Sequence, residues 1–171
     1  VIDYFTKLIK CTKGSKIILY NFEKLCGYKF SVECIKELKK LFPSQIIGIK
    51  DSTGNIYKKY RDVNFSIFLG TEEKLLNSLE IGCDGIISAT CNVTSNLARK
   101  VFDDFQNKKK QTVNKKLCSI RKVFNKFDLL SSLHTFMSKK DDIYKNLLPT
   151  LDLLNKKEEK KLFEELVNLD F

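Results

Sequence analysis

The chain has 171 residues, 43% of them hydrophobic, and a formal net charge of +10. That is length and apolar content enough for an ordinary domain with a buried core, which argues against disorder as a global description. The positive charge raises nucleic acid as a partner, but Arg61, Arg99 and Arg121 are the only arginines, and the lysines fall on helix faces beside Glu and Asp. Such a pattern is a solvated surface rather than a reader of phosphates or bases, so no nucleic-acid partner is expected.

Cys11, Cys26, Cys34, Cys83, Cys91 and Cys118 form no CxxC pair, and within these residues no signal-peptide pattern or long apolar span accompanies them. They read as reduced thiols of a cytoplasmic protein without a membrane partner. His134 is the only histidine, which argues against a multi-histidine metal site and against Ser-His-Asp machinery.

In chain order, "VIDYFTKLIK" (1–10) opens without a methionine and reads as the inside of an amphipathic helix, so the chain is expected to be the later part of a longer protein. Short apolar runs then alternate with helical patterns. "KIILYN" (16–21), "IIGIKD" (46–51), "FSIFLG" (65–70) and "GIISAT" (85–90) have the length and continuous apolarity of buried strands. Between them Ser31 is placed to cap "VECIKELKKLF", Thr71 to cap "EEKLLNSLEIG", and Thr94 to cap "SNLARKVFDDFQ". Strand and helix alternating at this spacing predict parallel strands joined by crossovers: half of a (β/α) barrel, or a slice of an open doubly wound sheet. Residues 1–107 form this α/β region. From 108 to 171 the strands stop, and helices are expected over 111–127, 129–138 and 155–168, with a linker broken at Pro149 and a capping box from Asn155 to Glu158.

Side chains alternate along a strand, so Ile46, Gly48 and Lys50 share one face and Ile47 and Ile49 the other. In a barrel the helix-facing side is apolar, which turns Lys50 inward, and the same parity turns Ile18 and Tyr20 inward. Both polar side chains then stand at the C-terminal strand ends, where this architecture keeps its active sites. A lysine shielded from water there keeps a fraction of free amine for attack on a ketone, and a phenol beside it relays protons. The bland alternative is a strand-end lysine reaching solvent, with Tyr20 as an ordinary aromatic.

"IILYNFEKLCGYKFS", "IIGIKDSTGN" and "FLGTEEKLLNSLEIGCDGIISATCNV", in that order, resemble the second half of the dihydrodipicolinate synthase and N-acetylneuraminate lyase family. The likeness runs along the whole chain and is weakest after residue 108. The family consists of pyruvate-dependent Schiff-base aldolases on a (β/α)8 barrel with a C-terminal helical extension. The resemblance implies that this chain supplies strands five to eight of the barrel and then the extension. It implies that Lys50 forms an imine with pyruvate or another 2-oxo acid, that Tyr20 is the proton-relay phenol, and that Gly70 and the Ile87 carbonyl line the pyruvate site. It implies an aldehyde as second substrate, a homo-oligomer, a dimer or tetramer, and no metal or organic cofactor.

Two departures qualify what is carried over. After Tyr20-Asn21 the synthases that make the lysine precursor read YNVPxRTG, with an arginine for the aldehyde's carboxylate; here Glu23 replaces the proline and Leu25 stands at the arginine position. Leucine cannot pair with a carboxylate, which favours a sugar-derived substrate over aspartate semialdehyde, although Lys24 stands next door. The carboxylate-binding loop and the tyrosine lent by a neighbouring subunit would precede Val1, so this stretch alone is expected to be inactive. The alternative is a truncated, non-catalytic paralogue acting as a binding or regulatory subunit.

Overall fold

The computed structural model describes residues 1–12 and 14–171, which divide into two compact units: Val1–Gly70 with Asn77–Ile87, and Thr71–Leu76 with Ser88–Phe171. In the first unit, α1 (Ile2–Cys11), β1 (Ile17–Asn21), a one-turn α2 (Glu23–Cys26), α3 (Val32–Leu41), β2 (Ile46–Asp51), β3 (Ser66–Leu69) and β4 (Gly85–Ile86) follow in order. The four strands form one parallel sheet in the order β1-β2-β3-β4, so each strand pairs with its sequence neighbour. The α/β reading with parallel strands is what the structure shows.

Burial follows the two-residue period. Leu19, Ile49, Ile67 and Leu69 are at most 1% exposed on one face of the sheet, and they pack with Ile35 and Leu38 of α3 and Ile9 of α1. Each such side chain contributes about 1.5–3 kcal/mol of hydrophobic stabilisation. α3 starts where Ser31 accepts a hydrogen bond from Cys34 N at 3.1 Å, as its sequence predicts. Past its end the half-buried Lys39 ammonium donates to the carbonyls of Pro43 (2.9 Å), Ile46 (3.2 Å) and Asn64 (2.8 Å), binding the N-terminal end of β2 to the loop that feeds β3. Gly48 lets these two strands close: a Cβ there would stand 2.5 Å from the Ser66 carbonyl oxygen. The fourth strand is shorter than the sequence suggests. It pairs only at Gly85 and Ile86, Ile87 N adds a bond to Leu69 O at 2.8 Å, and the chain then turns through Ser88–Thr90.

In the second unit, α5 (Cys91–Gln106), α6 (Asn114–Phe124), α7 (Leu129–Met137) and α8 (Lys156–Val167) bury Ile120, Val123, Phe124, Leu133, Leu162 and Leu166 together. Phe136 lies at the centre of a ring cluster with Phe124, Phe163 and Phe171, at centroid distances of 5.9, 5.8 and 5.5 Å. The Asn155–Glu158 capping box forms, and Asp128 caps α7 through Ser131 N at 2.9 Å.

Three expected helix starts differ. α5 begins at Cys91, which puts Thr94 inside the helix; its hydroxyl donates back to Thr90 O at 3.0 Å instead of capping. α6 begins at Asn114 rather than 111, and the Gln111 side-chain amide ahead of it donates to Val101 O at 3.1 Å. Thr71 precedes a 3-10 turn, Glu72–Lys74, continued by α4 (Leu75–Glu80), and its hydroxyl makes no cap bond. The tight i to i+3 turn, closed by Lys74 N on Thr71 O at 3.3 Å, replaces the side-chain cap.

Candidate active site

Parallel pairing sets two rows across the C-terminal strand ends. Tyr20, Lys50, Phe68 and Gly85 are register partners in one row, and Asn21, Asp51, Leu69 and Ile86 in the next. Because side chains alternate, the first row emerges on the face opposite the core. There the Lys50 ammonium nitrogen lies 4.4 Å from the centroid of the Tyr20 ring. Ile18 and Tyr20 on this face are 41% and 36% exposed. An amine and a phenol, groups able to serve as nucleophile and proton donor, thus stand side by side at two paired strand ends.

Two members of the second row, Asn21 and Asp51, are polar where the parity argument expects apolar side chains. Asn21 and Asp51 are buried, and Asn21 Nδ2 donates to Asp51 Oδ1 at 2.8 Å and to Asn55 Oδ1 at 2.7 Å. Asp51 also accepts from Gly54 N, Ile56 N and Tyr57 N at 2.9, 2.9 and 3.0 Å. Sequence reasoning missed this cluster. Its only signal is an Asn and an Asp standing at the ends of two strands on their inner-core parity.

Gly70 follows β3 and packs on the Lys50 loop: a Cβ there would meet Ser52 Oγ at 2.4 Å and Ser52 Cβ at 3.1 Å, so only glycine allows this approach. Ile87 follows β4, 39% exposed, with its N–H used by Leu69 O. Leu25 stands apart on α2, 73% exposed. A cavity of about 450 Å³ adjoins Tyr20 and is lined by Val1, Tyr4, Phe5, Cys26, Tyr28 and Phe30; Leu25 is not part of its wall. Among the described residues, no Asp, Glu, Lys or Arg side chain lines it. Among the described residues, no three His, Cys, Asp or Glu side chains gather as a metal site, and no helix is long and apolar enough to cross a membrane.

Within the second unit, Glu72 is fully buried and accepts from Ser88 Oγ at 2.8 Å and from Arg121 Nη1 and Cys91 Sγ at 3.4 Å each; Thr94 Oγ1, whose proton goes to Thr90 O, also stands 3.4 Å away. Burial, and then the Glu72 carboxylate, push the Cys91 thiol up to about 12.

The comparisons with known proteins agree with one another. Residues 1–168 match the model of the Dihydrodipicolinate synthetase family. The chain is 24% identical over 150 residues to the 2-dehydro-3-deoxy-D-gluconate/2-dehydro-3-deoxy-phosphogluconate aldolase of Picrophilus torridus, covering 83% of this chain and 55% of that one. It is 31% identical over 106 residues to the N-acetylneuraminate lyase of Actinobacillus pleuropneumoniae, covering 60% and 36%. The chain thus spans about half the length, or less, of these relatives. Its fold matches that of a prophage protein of the dihydrodipicolinic acid synthase family from Escherichia coli K12, solved in complex with pyruvate, with a TM-score of 0.77, 22% identity, and coverage of 99% of this chain and 60% of that one. A family match over almost the whole length, with the fold shared by a solved member, establishes that the chain belongs to the dihydrodipicolinate synthetase family.

Proposed function

We propose that this chain carries the imine-forming half of a pyruvate-dependent class I lyase or aldolase. The observation that carries the reading is the pairing of Lys50 and Tyr20 at adjacent strand ends, with the amine 4.4 Å from the ring centroid. Family membership supports it, since relatives of this chain are named as aldolases and lyases. Lys50 attacks the C2 carbonyl of pyruvate; water leaves as the carbinolamine collapses to the imine. The imine nitrogen then accepts the electron pair released when the C3 proton departs, or when a carbon–carbon bond to C3 is cleaved. Tyr20 carries protons to and from the carbinolamine oxygen and the aldehyde oxygen. Gly70 and the Ile87 carbonyl border the pyruvate.

The second substrate is an aldehyde. Leu25 offers no charge for a carboxylate, which favours a sugar-derived aldehyde over aspartate semialdehyde. On this reading the sheet is completed to a (β/α)8 barrel by further strands beside β1 and β4, each of which has one edge unpaired within the sheet. Residues 108–171 are the helical extension. The enzyme works in the cytoplasm as a homo-oligomer, without metal or organic cofactor.

Borohydride reduction in the presence of pyruvate, on the product of the complete reading frame, followed by peptide mapping, tests this. A pyruvyl adduct on Lys50 is expected. An unmodified Lys50 in folded protein overturns the reading in favour of a non-catalytic paralogue.

A further inference from the structure

The buried polar cluster behind the strand ends takes no part in the chemistry above, yet it is built from the residues that immediately follow Tyr20 and Lys50. A carboxylate buried to 1% exposure is costly unless its oxygens are satisfied. Asp51 is satisfied fully: Oδ1 takes Asn21 Nδ2 and Gly54 N, and Oδ2 takes Ile56 N and Tyr57 N. All four donors are neutral, so its charge serves to hold N–H groups in fixed directions.

Asn21 closes the circuit. Its side-chain oxygen accepts from Phe30 N at 3.0 Å, its second amide hydrogen goes to Asn55 Oδ1, and Asn55 Nδ2 donates to Phe30 O at 3.2 Å. Its main-chain oxygen accepts from Ser52 N (3.0 Å), Thr53 N (3.2 Å) and Thr53 Oγ1 (3.1 Å). Three side chains therefore join the ends of β1 and β2 to the loops that follow each strand.

We propose that Asp51, with Asn21 and Asn55, is a positioning group: it sets the rotation of the two strand ends and so aims Tyr20 and Lys50 at one substrate. The inference rests on the Lys50 imine reading. Asp51 shares a peptide unit with Lys50, and Asn21 with Tyr20, so a turn of either strand end on its polar side swings the reactive group on the other. Asparagine at 51 would keep the size but turn one acceptor oxygen into a donor facing backbone N–H groups.

The test measures the single-turnover rate of imine formation at saturating pyruvate, each variant being assayed at the same interval below its own unfolding midpoint. In the wild type, failure to trap pyruvate on Lys50 overturns the functional reading itself. Given trapping, Asp51→Asn is expected to slow imine formation about tenfold or more, since misplacement by an ångström costs up to about a hundredfold. Lys39→Met, which loosens the N-terminal end of β2, is expected to stay within about twofold of wild type, because it leaves that aim intact. Equal slowing by both variants, or no slowing by Asp51→Asn, overturns the inference and leaves the imine chemistry standing. Should Asp51→Asn fail to fold, Asn55→Ala decides: it removes two bonds of the circuit and is expected to slow the step about threefold or more, and an unchanged rate refutes the positioning role.

Discussion

Removing Arg121 from the second unit is expected to destabilise the protein more than neutralising Glu72, and removing both to cost less than the two losses added. Glu72 is fully buried and the Arg121 side chain is 11% exposed, so water repairs little when either partner goes. Among the described residues, Ser88 Oγ donates to the carboxylate at a short distance, 2.8 Å; Arg121 and Cys91 stand at 3.4 Å, and so does Thr94, whose hydroxyl proton goes to Thr90 O. Arg121→Met therefore leaves a charge that a hydroxyl and a thiol satisfy poorly, at a cost of about 3–5 kcal/mol. Glu72→Gln keeps an acceptor for Ser88, and the guanidinium keeps Ser88 Oγ at 3.0 Å and Thr90 Oγ1 at 2.7 Å. Its cost is then about 1–3 kcal/mol. The double variant buries neither charge, so a coupling of about 2 kcal/mol is expected. Urea unfolding of the four proteins at neutral pH, followed by circular dichroism, measures it. Because the pair is buried, raising the salt to about 0.5 M should leave the coupling in place. Additivity within about 0.5 kcal/mol refutes the reasoning and makes the pair a bystander.

Gly48→Ala drives a Cβ to 2.5 Å from a main-chain oxygen that cannot rotate away, and is expected to cost at least about 1–3 kcal/mol in the unfolding midpoint by denaturant. A thiol reagent at mildly alkaline pH should modify the exposed Cys11 and Cys26 first and Cys91 only on unfolding, as peptide mapping over time would show. The folded state holds the Cys91 proton across the window from 9 to about 12 in which the unfolded chain releases it, so stability falls as pH rises through that window; Cys91→Ala should flatten the fall. The Asp128 carboxyl is held below its ordinary value by the N–H of Ser131, so its contribution is present above the unfolded pKa and disappears as pH falls through the folded one. Asp128→Ala should cost about 0.5–1 kcal/mol at neutral pH and nothing in strong acid, by thermal unfolding at the two pH values.

Much of the fold is legible in local patterns, because those patterns act within one element. Ser31 and Asn155 cap helices whose apolar faces their sequences display, and the two-residue period places Tyr20 and Lys50 on a common face. What escapes reading is decided across elements. Asn21 and Asp51 violate the apolar parity because loop N–H groups and Asn55 come to meet them, and no short window contains both sides of that bargain. Thr94 looks like a cap until the turn at Ser88–Thr90 starts the helix earlier. Lys39 reads as one lysine among many, and only the convergence of Pro43, Ile46 and Asn64 on its ammonium distinguishes it.

The strand order has a consequence for synthesis on the ribosome. Every strand lies beside the one made just before it: the register pairs Tyr20 with Lys50, Lys50 with Phe68 and Phe68 with Gly85, each a modest loop to close. The sheet can therefore lengthen sideways as the chain emerges, with no strand held open for a partner translated much later. A nascent chain stalled after β2 already contains both halves of the Asn21–Asp51 bond, so the polar circuit behind Tyr20 and Lys50 can close before β3 is made.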